Sequence, residues 1–132
     1  MSVENVELVR RFVRGVNESE DDFSSLCHPD FELTESASLP GAATVRGLDQ
    51  LRSYGYGWQR NWSEWEWREE EIDEIAKGKV LMVATLWLRG LRSGISVERR
   101  WAYLFTIRDG KLARQVGYDT KEEALEAAGL SA

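Results

Sequence analysis

Apolar residues near the start of the chain recur every three or four positions, and charged residues lie between them. This spacing gathers the apolar side chains on one face and predicts an amphipathic helix of about four turns. The residues that mark it are Val6, Val9, Phe12, Val13 and Val16. A second, short helix is predicted from Ser19 to Leu26, and His28-Pro29-Asp30 is expected to end it. A third helix is marked by Leu48, Leu51, Tyr54 and Trp58.

The rest of the pattern is typical of strands. Phe31, Leu33 and Glu35 alternate as a short strand, and the stretch from Ser36 to Thr44 is interpreted as a loop. Four more strands are predicted at 62–75, 80–88, 95–107 and 112–119. The strand predicted at 80–88 is almost wholly apolar, which is typical of a central strand. A last helix begins at Thr120, whose spacing from Glu123 is that of a capping box.

The predicted order of elements is α-α-β-α-β-β-β-β-α. Helices gathered before consecutive strands, with an Asp109-Gly110 hairpin turn between the last two, predict an α+β fold. In such a fold the helices lie on one face of a curved, antiparallel sheet. No repeat or linker interrupts the pattern, and 132 residues suit one core. We therefore expect a single domain over residues 1–132.

Composition narrows the function. The formal net charge of −6 disfavours nucleic acid as a partner, because nucleic-acid binding needs a clustered basic surface. No apolar run approaches the roughly 20 residues that span a bilayer, so no membrane association is expected. The start of the chain is acidic rather than basic and apolar, which predicts a cytoplasmic protein. Cys27 and His28 are the only cysteine and histidine, so we expect no disulfide and no metal site.

Six tryptophans in this length of chain indicate either an aromatic core or an aromatic-lined cavity. We expect Trp65 or Trp67, together with Trp87, near the outer face of the sheet, where a second copy of the chain would cover them. The acidic run from Glu69 to Glu74 is interpreted as a solvated outer strand surface.

Several stretches resemble a known superfamily. They are ENVELVRRFVRGVN, HPDFELTE, LPGAATVRGLDQLRSY, FTIRDGKLARQVGY and KEEALEAAGL. Together they resemble the nuclear transport factor 2-like superfamily, and within it the branch of SnoaL-like polyketide cyclases and ketosteroid isomerases. The resemblance implies a cone-shaped antiparallel or mixed sheet with N-terminal helices on its concave face. It also implies an apolar pocket between them and homodimers formed through the outer sheet face.

The resemblance points to Glu35 as a catalytic residue. In ketosteroid isomerases this segment ends in the base that shuttles a proton, and a carboxylate in an apolar pocket has the raised pKa that such work needs. The alternative is a strand-end glutamate that faces water. The donor tyrosine of those enzymes falls on Phe12, which cannot donate a hydrogen bond. The second donor falls near Tyr103, which can. Steroid isomerisation itself is therefore not expected.

Asp119 is the second candidate. Several branches use a carboxylate near the end of the last strand as general acid or base, and alternation puts Asp119 on one face with Gln115 and Gly117. The usual YxD pattern is shifted by one residue, so that Thr120 stands in the acid's place. The alternative is that Asp119 only assists the start of the last helix.

These observations define a working hypothesis. The protein is expected to bind a small apolar or polycyclic molecule and to act, if it is an enzyme, as a cofactor-free isomerase or cyclase. Glu35, Asp119 and Tyr103 are the expected catalytic residues. The expected pocket wall consists of Phe12, Tyr54, Trp58, Trp101, Phe105, Gln115 and Gly117. A non-catalytic ligand-binding or dimerisation module is the alternative.

Overall fold

The computed structural model describes residues 3–18, 25–39 and 43–130, which contain three helices and six strands. The helices are α1 (Val3–Asn17), α2 (Gly47–Asn61) and α3 (Lys121–Ala127). The strands are β1 (Cys27–Thr34), β2 (Thr44–Arg46), β3 (Trp62–Ala76), β4 (Lys79–Gly90), β5 (Ser96–Arg108) and β6 (Lys111–Tyr118). The α+β class and the order of elements are confirmed, with β2 as an addition. The predicted second helix lies mostly outside the described residues.

The first strand begins earlier than expected. Residues 28–30, interpreted from the sequence as the end of a helix, belong to β1. Pro29 lies where the pairing of β1 with β6 is irregular, between Cys27 and Glu32. A proline without an N–H is tolerated at such a point, because no ladder hydrogen bond is lost there.

All six strands form one mixed sheet in the order β2-β1-β6-β5-β4-β3. The pairing of β1 with β6 is parallel, and the other four pairings are antiparallel. The parallel pairing brings the end of β1 beside the end of β6. This junction positions the candidate site described below.

Strand β4 lies between β5 and β3, and helices cover both faces of its first half, which explains the almost continuous apolar sequence there. Alternate residues from Val80 to Leu88 join the main core beneath α1 and α2. The residues between them face the other way, where Leu81 and Val83 pack against Ala124 of α3. None of the helices in the described part of the chain is long and apolar enough to cross a membrane.

The expectation that Trp65 or Trp67 lies near the outer face is wrong. In the register of β3 with β4, Trp65 pairs with Leu88 and Trp67 with Leu86, and both leucines belong to the main core. The tryptophans therefore point towards the helices. The indole nitrogen of Trp65 donates a hydrogen bond to the carbonyl oxygen of Val16 in α1 at 3.0 Å.

The acidic run is also not wholly solvated. Glu74 is 5% exposed, and its carboxylate accepts hydrogen bonds from the Asn5 side chain and the Gly78 main chain, each at 3.0 Å. A register shift between Glu69 and Glu71 inserts one residue into β3. One extra residue exchanges the faces of a strand, so Glu74 turns inward.

The outer face of the sheet carries charges around one tryptophan. Trp87 is half-buried there, and the Arg89 guanidinium lies 5.5 Å from its ring. Arg68 pairs with Glu98 at 3.7 Å and Arg100 pairs with Glu70 at 3.4 Å on the same face. We call Trp87 and these charged side chains the outer strip. Its arginines and glutamates could pair with those of a second copy.

The homodimer stays a prediction, now centred on Trp87. We expect the wild-type protein to sediment as a dimer at micromolar concentration and Trp87→Glu to sediment as a monomer. The substitution removes an aromatic anchor and adds a negative charge beside Glu98, its cross-strand neighbour. Val3→Ser, which changes an exposed apolar residue of α1, is the control and should leave the dimer intact. A monomeric wild-type protein would contradict the prediction.

Candidate functional site

The site is built around a buried carboxyl group at the end of β1. Glu35 directly follows this strand, and its main-chain N–H donates to the carbonyl oxygen of Ala43 at 3.1 Å. Alternation from Phe31 and Leu33, both core residues, turns the Glu35 side chain towards the helices. The residue is only 9% exposed, so the alternative of a water-facing glutamate does not fit the structure.

Two tyrosines hold this carboxyl group. The Tyr54 hydroxyl, on α2, donates to Glu35 Oε2 at 2.8 Å. The Tyr103 hydroxyl, on β5, donates to Glu35 Oε1 at 2.9 Å. Each carboxylate oxygen thus has one donor, and the two donors come from opposite sides of the core.

Burial dominates the acid-base properties of the three groups. Desolvation raises the pKa of Glu35, although the hydrogen bonds from Tyr54 and Tyr103 act in the opposite direction. Burial, with the neighbouring Glu35 charge, also raises the pKa of both tyrosines, that of Tyr103 well above its ordinary value. Both tyrosines therefore stay protonated donors, while Glu35 is a stronger base than a surface carboxylate.

Half-buried aromatic side chains adjoin the carboxyl site on the side of α2 and β3. Trp58 lies at the centre of this aromatic row, with ring centroids 6.1 Å from Tyr54, 6.5 Å from Trp62 and 6.2 Å from Trp65. The Trp67 ring stands edge-on to Tyr103 at 5.1 Å. Large aromatic rings that remain partly exposed beside a buried acid can contact a flat ligand.

Three residues of the expected pocket wall, Phe12, Trp101 and Phe105, are packed within the core, and Trp101 is 1% exposed. Phe12 is 4% exposed and Phe105 is fully buried, and their rings lie 6.3 Å apart. Phe12 also approaches Phe31 at 6.0 Å. This apolar layer offers no hydrogen-bond donor, as expected from a phenylalanine at position 12.

The last strand brings Gln115 and Gly117 to the same region. Gln115 is buried, and Gly117 is the cross-strand partner of Tyr103. A Cβ atom at position 117 would lie 3.0 Å from a Tyr103 ring carbon and 3.0 Å from the main-chain nitrogen of Ser36. A larger residue here would require the ring or the Ser36 backbone to move away by a few tenths of an ångström.

Asp119 has a different environment from Glu35. It is exposed, and it accepts hydrogen bonds from the hydroxyl groups of Ser36 and Ser38. The Ser36 bond is the main cause that lowers the pKa of Asp119, followed by the Ser38 bond. The Trp101 indole nitrogen donates to Ser38 Oγ at 2.8 Å. Asp119 therefore fastens the turn that follows Glu35.

The alternative role of Asp119 at the start of the last helix is taken by its neighbour. Thr120 is the N-cap of α3, and its hydroxyl accepts the Glu123 main-chain N–H at 3.1 Å. Asp119 also forms an ion pair with the Arg99 guanidinium at 3.9 Å. The carboxylates of Asp119 and Glu35 thus lie on two sides of one turn, with separate partners.

The predicted pocket remains a prediction. Among the described residues, a groove of about 370 Å³ lies at the edge of β3 and another of about 240 Å³ beside α3, and Glu35 lines neither of these. No group of three or more His, Cys, Asp or Glu side chains that could hold a metal ion occurs in residues 3–18, 25–39 and 43–130.

Sequence reasoning missed the donor role of Tyr54 and the clamp formed by Ser36 and Ser38. Tyr54 was assigned only to the pocket wall. Its hydroxyl on an otherwise apolar helix face was a signal, since a buried tyrosine hydroxyl usually has a hydrogen-bond partner. Ser36 and Ser38 lie in a predicted loop, and no sequence signal indicated that their hydroxyls bind Asp119.

Comparisons with known proteins identify the family and support the fold. The SnoaL-like domain matches residues 9–115 of the chain. No curated protein sequence matches it. Among solved structures, a nuclear transport factor 2-like protein of unknown function from Burkholderia pseudomallei K96243 is 15% identical with a TM-score of 0.79, over 96% of this chain and 97% of that one.

Two further solved structures share the fold. TerC, co-crystallized with polyporic acid, is 19% identical with a TM-score of 0.78, over 93% of this chain and 96% of that one. A protein from Jannaschia sp. CCS1, described as SnoaL-like polyketide cyclase, is 21% identical with a TM-score of 0.72, over 98% of this chain and 93% of that one. At these identities the likeness concerns the fold.

Replacing Glu35 by glutamine should reveal the cost of burying its charge. The folded chain holds this proton more tightly than the unfolded chain, because burial raises the native pKa. Wild-type stability therefore falls as the pH rises from about 4.3 through the native pKa, by about 1.4 kcal/mol for each unit of difference. We expect Glu35→Gln to match the wild-type free energy of unfolding at about pH 4 and to exceed it at about pH 8.

Urea unfolding at the two pH values measures this difference. Glu32→Gln, at a half-buried position on the same strand whose carboxylate pairs with Arg46 at 3.3 Å, is the matched control and should change stability by less than about 0.5 kcal/mol at either pH. Equal stability of wild type and Glu35→Gln at both pH values would mean that the carboxyl is solvated.

Proposed function

The chain belongs to the SnoaL-like domain family, and from this premise we propose that it binds a flat aromatic or polycyclic carbonyl compound and moves a proton on it without a cofactor. The observation that carries the proposal is the buried Glu35 carboxyl between the hydroxyls of Tyr54 and Tyr103. A buried acid with two donors and an aromatic border is suited to an isomerase or cyclase.

In the proposed reaction Glu35 is the base. Its carboxylate takes a proton from the carbon next to the ligand's carbonyl group, and the electron pair of the broken C–H bond forms an enolate. The raised pKa of Glu35 favours this transfer, since a base is most effective when its pKa lies near the pH at which the reaction takes place.

The two tyrosines have a role in the same step. Before proton transfer their hydroxyls donate to a charged carboxylate, which is a strong acceptor. After transfer Glu35 is neutral and the negative charge lies on the ligand's oxygen. A hydroxyl of Tyr54 or Tyr103 then gains by donating to the enolate, which it stabilises as an oxyanion hole does.

The enolate has two possible continuations. Return of the proton from Glu35 to a different carbon completes an isomerisation. Attack of the enolate carbon on a second carbonyl of the same molecule forms a C–C bond and closes a ring, and the proton goes to the new alkoxide. Phe12, which replaces the donor tyrosine of the steroid isomerases, leaves oxyanion stabilisation to Tyr54 and Tyr103.

Hydrogen exchange of an aromatic ketone tests the proposal. We expect the wild-type protein to bind 2-tetralone and to speed deuterium incorporation next to its carbonyl in D2O, followed by NMR. Glu35→Gln should still bind, with a rise in melting temperature, but should lose the added exchange. Tyr103→Phe should slow it by about 10²- to 10³-fold, the usual loss for one oxyanion donor.

Controls separate the candidate roles. Glu32→Gln should exchange as fast as the wild type. Loss of exchange in Asp119→Asn together with retention in Glu35→Gln would transfer the base role to Asp119. Binding without added exchange in the wild type would favour the non-catalytic ligand-binding module, and no binding across a panel of polycyclic ketones would refute the ligand site.

A further inference from the structure

The sheet face beneath α1 and α2 holds a buried polar atom that no described residue satisfies. Gln115 on β6 is 9% exposed, and its Oε1 accepts no hydrogen bond from the residues that the structure describes. Buried side-chain oxygens nearly always have a donor, because an unpaired one loses the hydration that it has in the unfolded chain. Oε1 is therefore an acceptor that a donor group of a ligand would satisfy.

The sheet register brings this amide next to the carboxyl site. Gln115 pairs with Leu33 on β1 and with Phe105 on β5. The next residue of β6 on the same face, Gly117, pairs with Tyr103. Tyr103 is thus a diagonal neighbour of Gln115, at a typical Cα separation of about 7–8 Å, within reach of long side chains.

Gly117 lets the Tyr103 ring approach the strand that carries Gln115. A Cβ atom at position 117 would lie 3.0 Å from a Tyr103 ring carbon, so the ring lies this close to β6 because that side chain is absent, and its hydroxyl donates to Glu35. A ligand group beside the Tyr103 hydroxyl would therefore be near the Gln115 amide. The chemistry of that group is set by the atom it meets, since an amide oxygen only accepts hydrogen bonds.

We propose that Gln115 selects the ligand of this site by accepting a hydrogen bond from a ligand hydroxyl group, so that the preferred ligands are phenols and enols. This inference rests on the proposed function, because it uses the ligand site beside Glu35. Hydrocarbons, ethers and ketones have no donor and leave Oε1 unpaired. The hydroxyl also lies on the same molecule as the carbonyl that Glu35 acts on, which makes hydroxylated aromatic ketones the substrate class.

Two flat probes that differ in one donor test the inference. Calorimetry compares 2-naphthol, which donates, with 2-methoxynaphthalene, which does not. We expect the wild type to bind 2-naphthol about 10- to 100-fold more tightly, the usual penalty for an unpaired buried acceptor. Gln115→Met keeps the length of the side chain without the acceptor, and should bring the two affinities within about threefold of each other. Gln50→Met, on the exposed side of α2, is the control and should keep the wild-type preference.

The outcomes distinguish this inference from the proposed function. Equal binding of both probes by the wild type, or a hydroxyl preference that survives in Gln115→Met, would overturn the role of Gln115 and leave the ligand site intact. Binding of neither probe would overturn both. Without ligand, Gln115→Met should unfold at the same urea concentration as the wild type or a higher one. A variant that fails to fold would show that Oε1 is already paired in the free protein, and would also overturn the inference.

Discussion

The burial of the Glu35 carboxyl is the constraint on which this part of the molecule depends. Removing a carboxyl from water is costly unless its oxygens are hydrogen-bonded, and Tyr54 and Tyr103 supply one donor each. The fold assembles these groups from a helix and two strands that are distant in sequence. Glycine at position 117 lets the Tyr103 ring approach, and Asp119 fastens the turn beyond Glu35. Several ordinary contacts thus keep one buried carboxyl group and its two donors in place.

Much of the fold could be predicted because local periodicity reports it. The helical spacing of α1 and α2, the apolar run of β4 and the capping residues of α3 each depend on neighbours in the sequence. The faces of β3 could not be predicted in this way. Its register shift reverses which residues point inward, so Trp67 and Glu74 both face the helices although one is odd-numbered and the other even. The position of a bulge depends on how β3 pairs with β4, and the sequence of β3 alone does not specify that pairing.

The site, too, has parts that local sequence predicts and parts that depend on tertiary contacts. The resemblance points to Glu35, and alternation places Gln115 and Gly117 on its face of the sheet, but Asp119 follows the end of β6 and is exposed. The pairing of Tyr54 with Glu35 depends on the distance between α2 and β1, which no local pattern encodes. Asp119 looked equivalent to Glu35 as an acid near a strand end, yet its exposure and two serine donors give it a lowered pKa where Glu35 has a raised one. Environment, not residue type, separates the two carboxylates.

The titration of Glu35 itself tests the account most directly. Carbon-13 NMR of the side-chain carboxyl follows this one group across the pH range, in the wild type and in Tyr103→Phe. The account predicts a wild-type pKa above the ordinary glutamate value and a further rise in Tyr103→Phe, because the lost hydrogen bond favoured the charged form. A wild-type value near about 4.3 that does not move in Tyr103→Phe would contradict it.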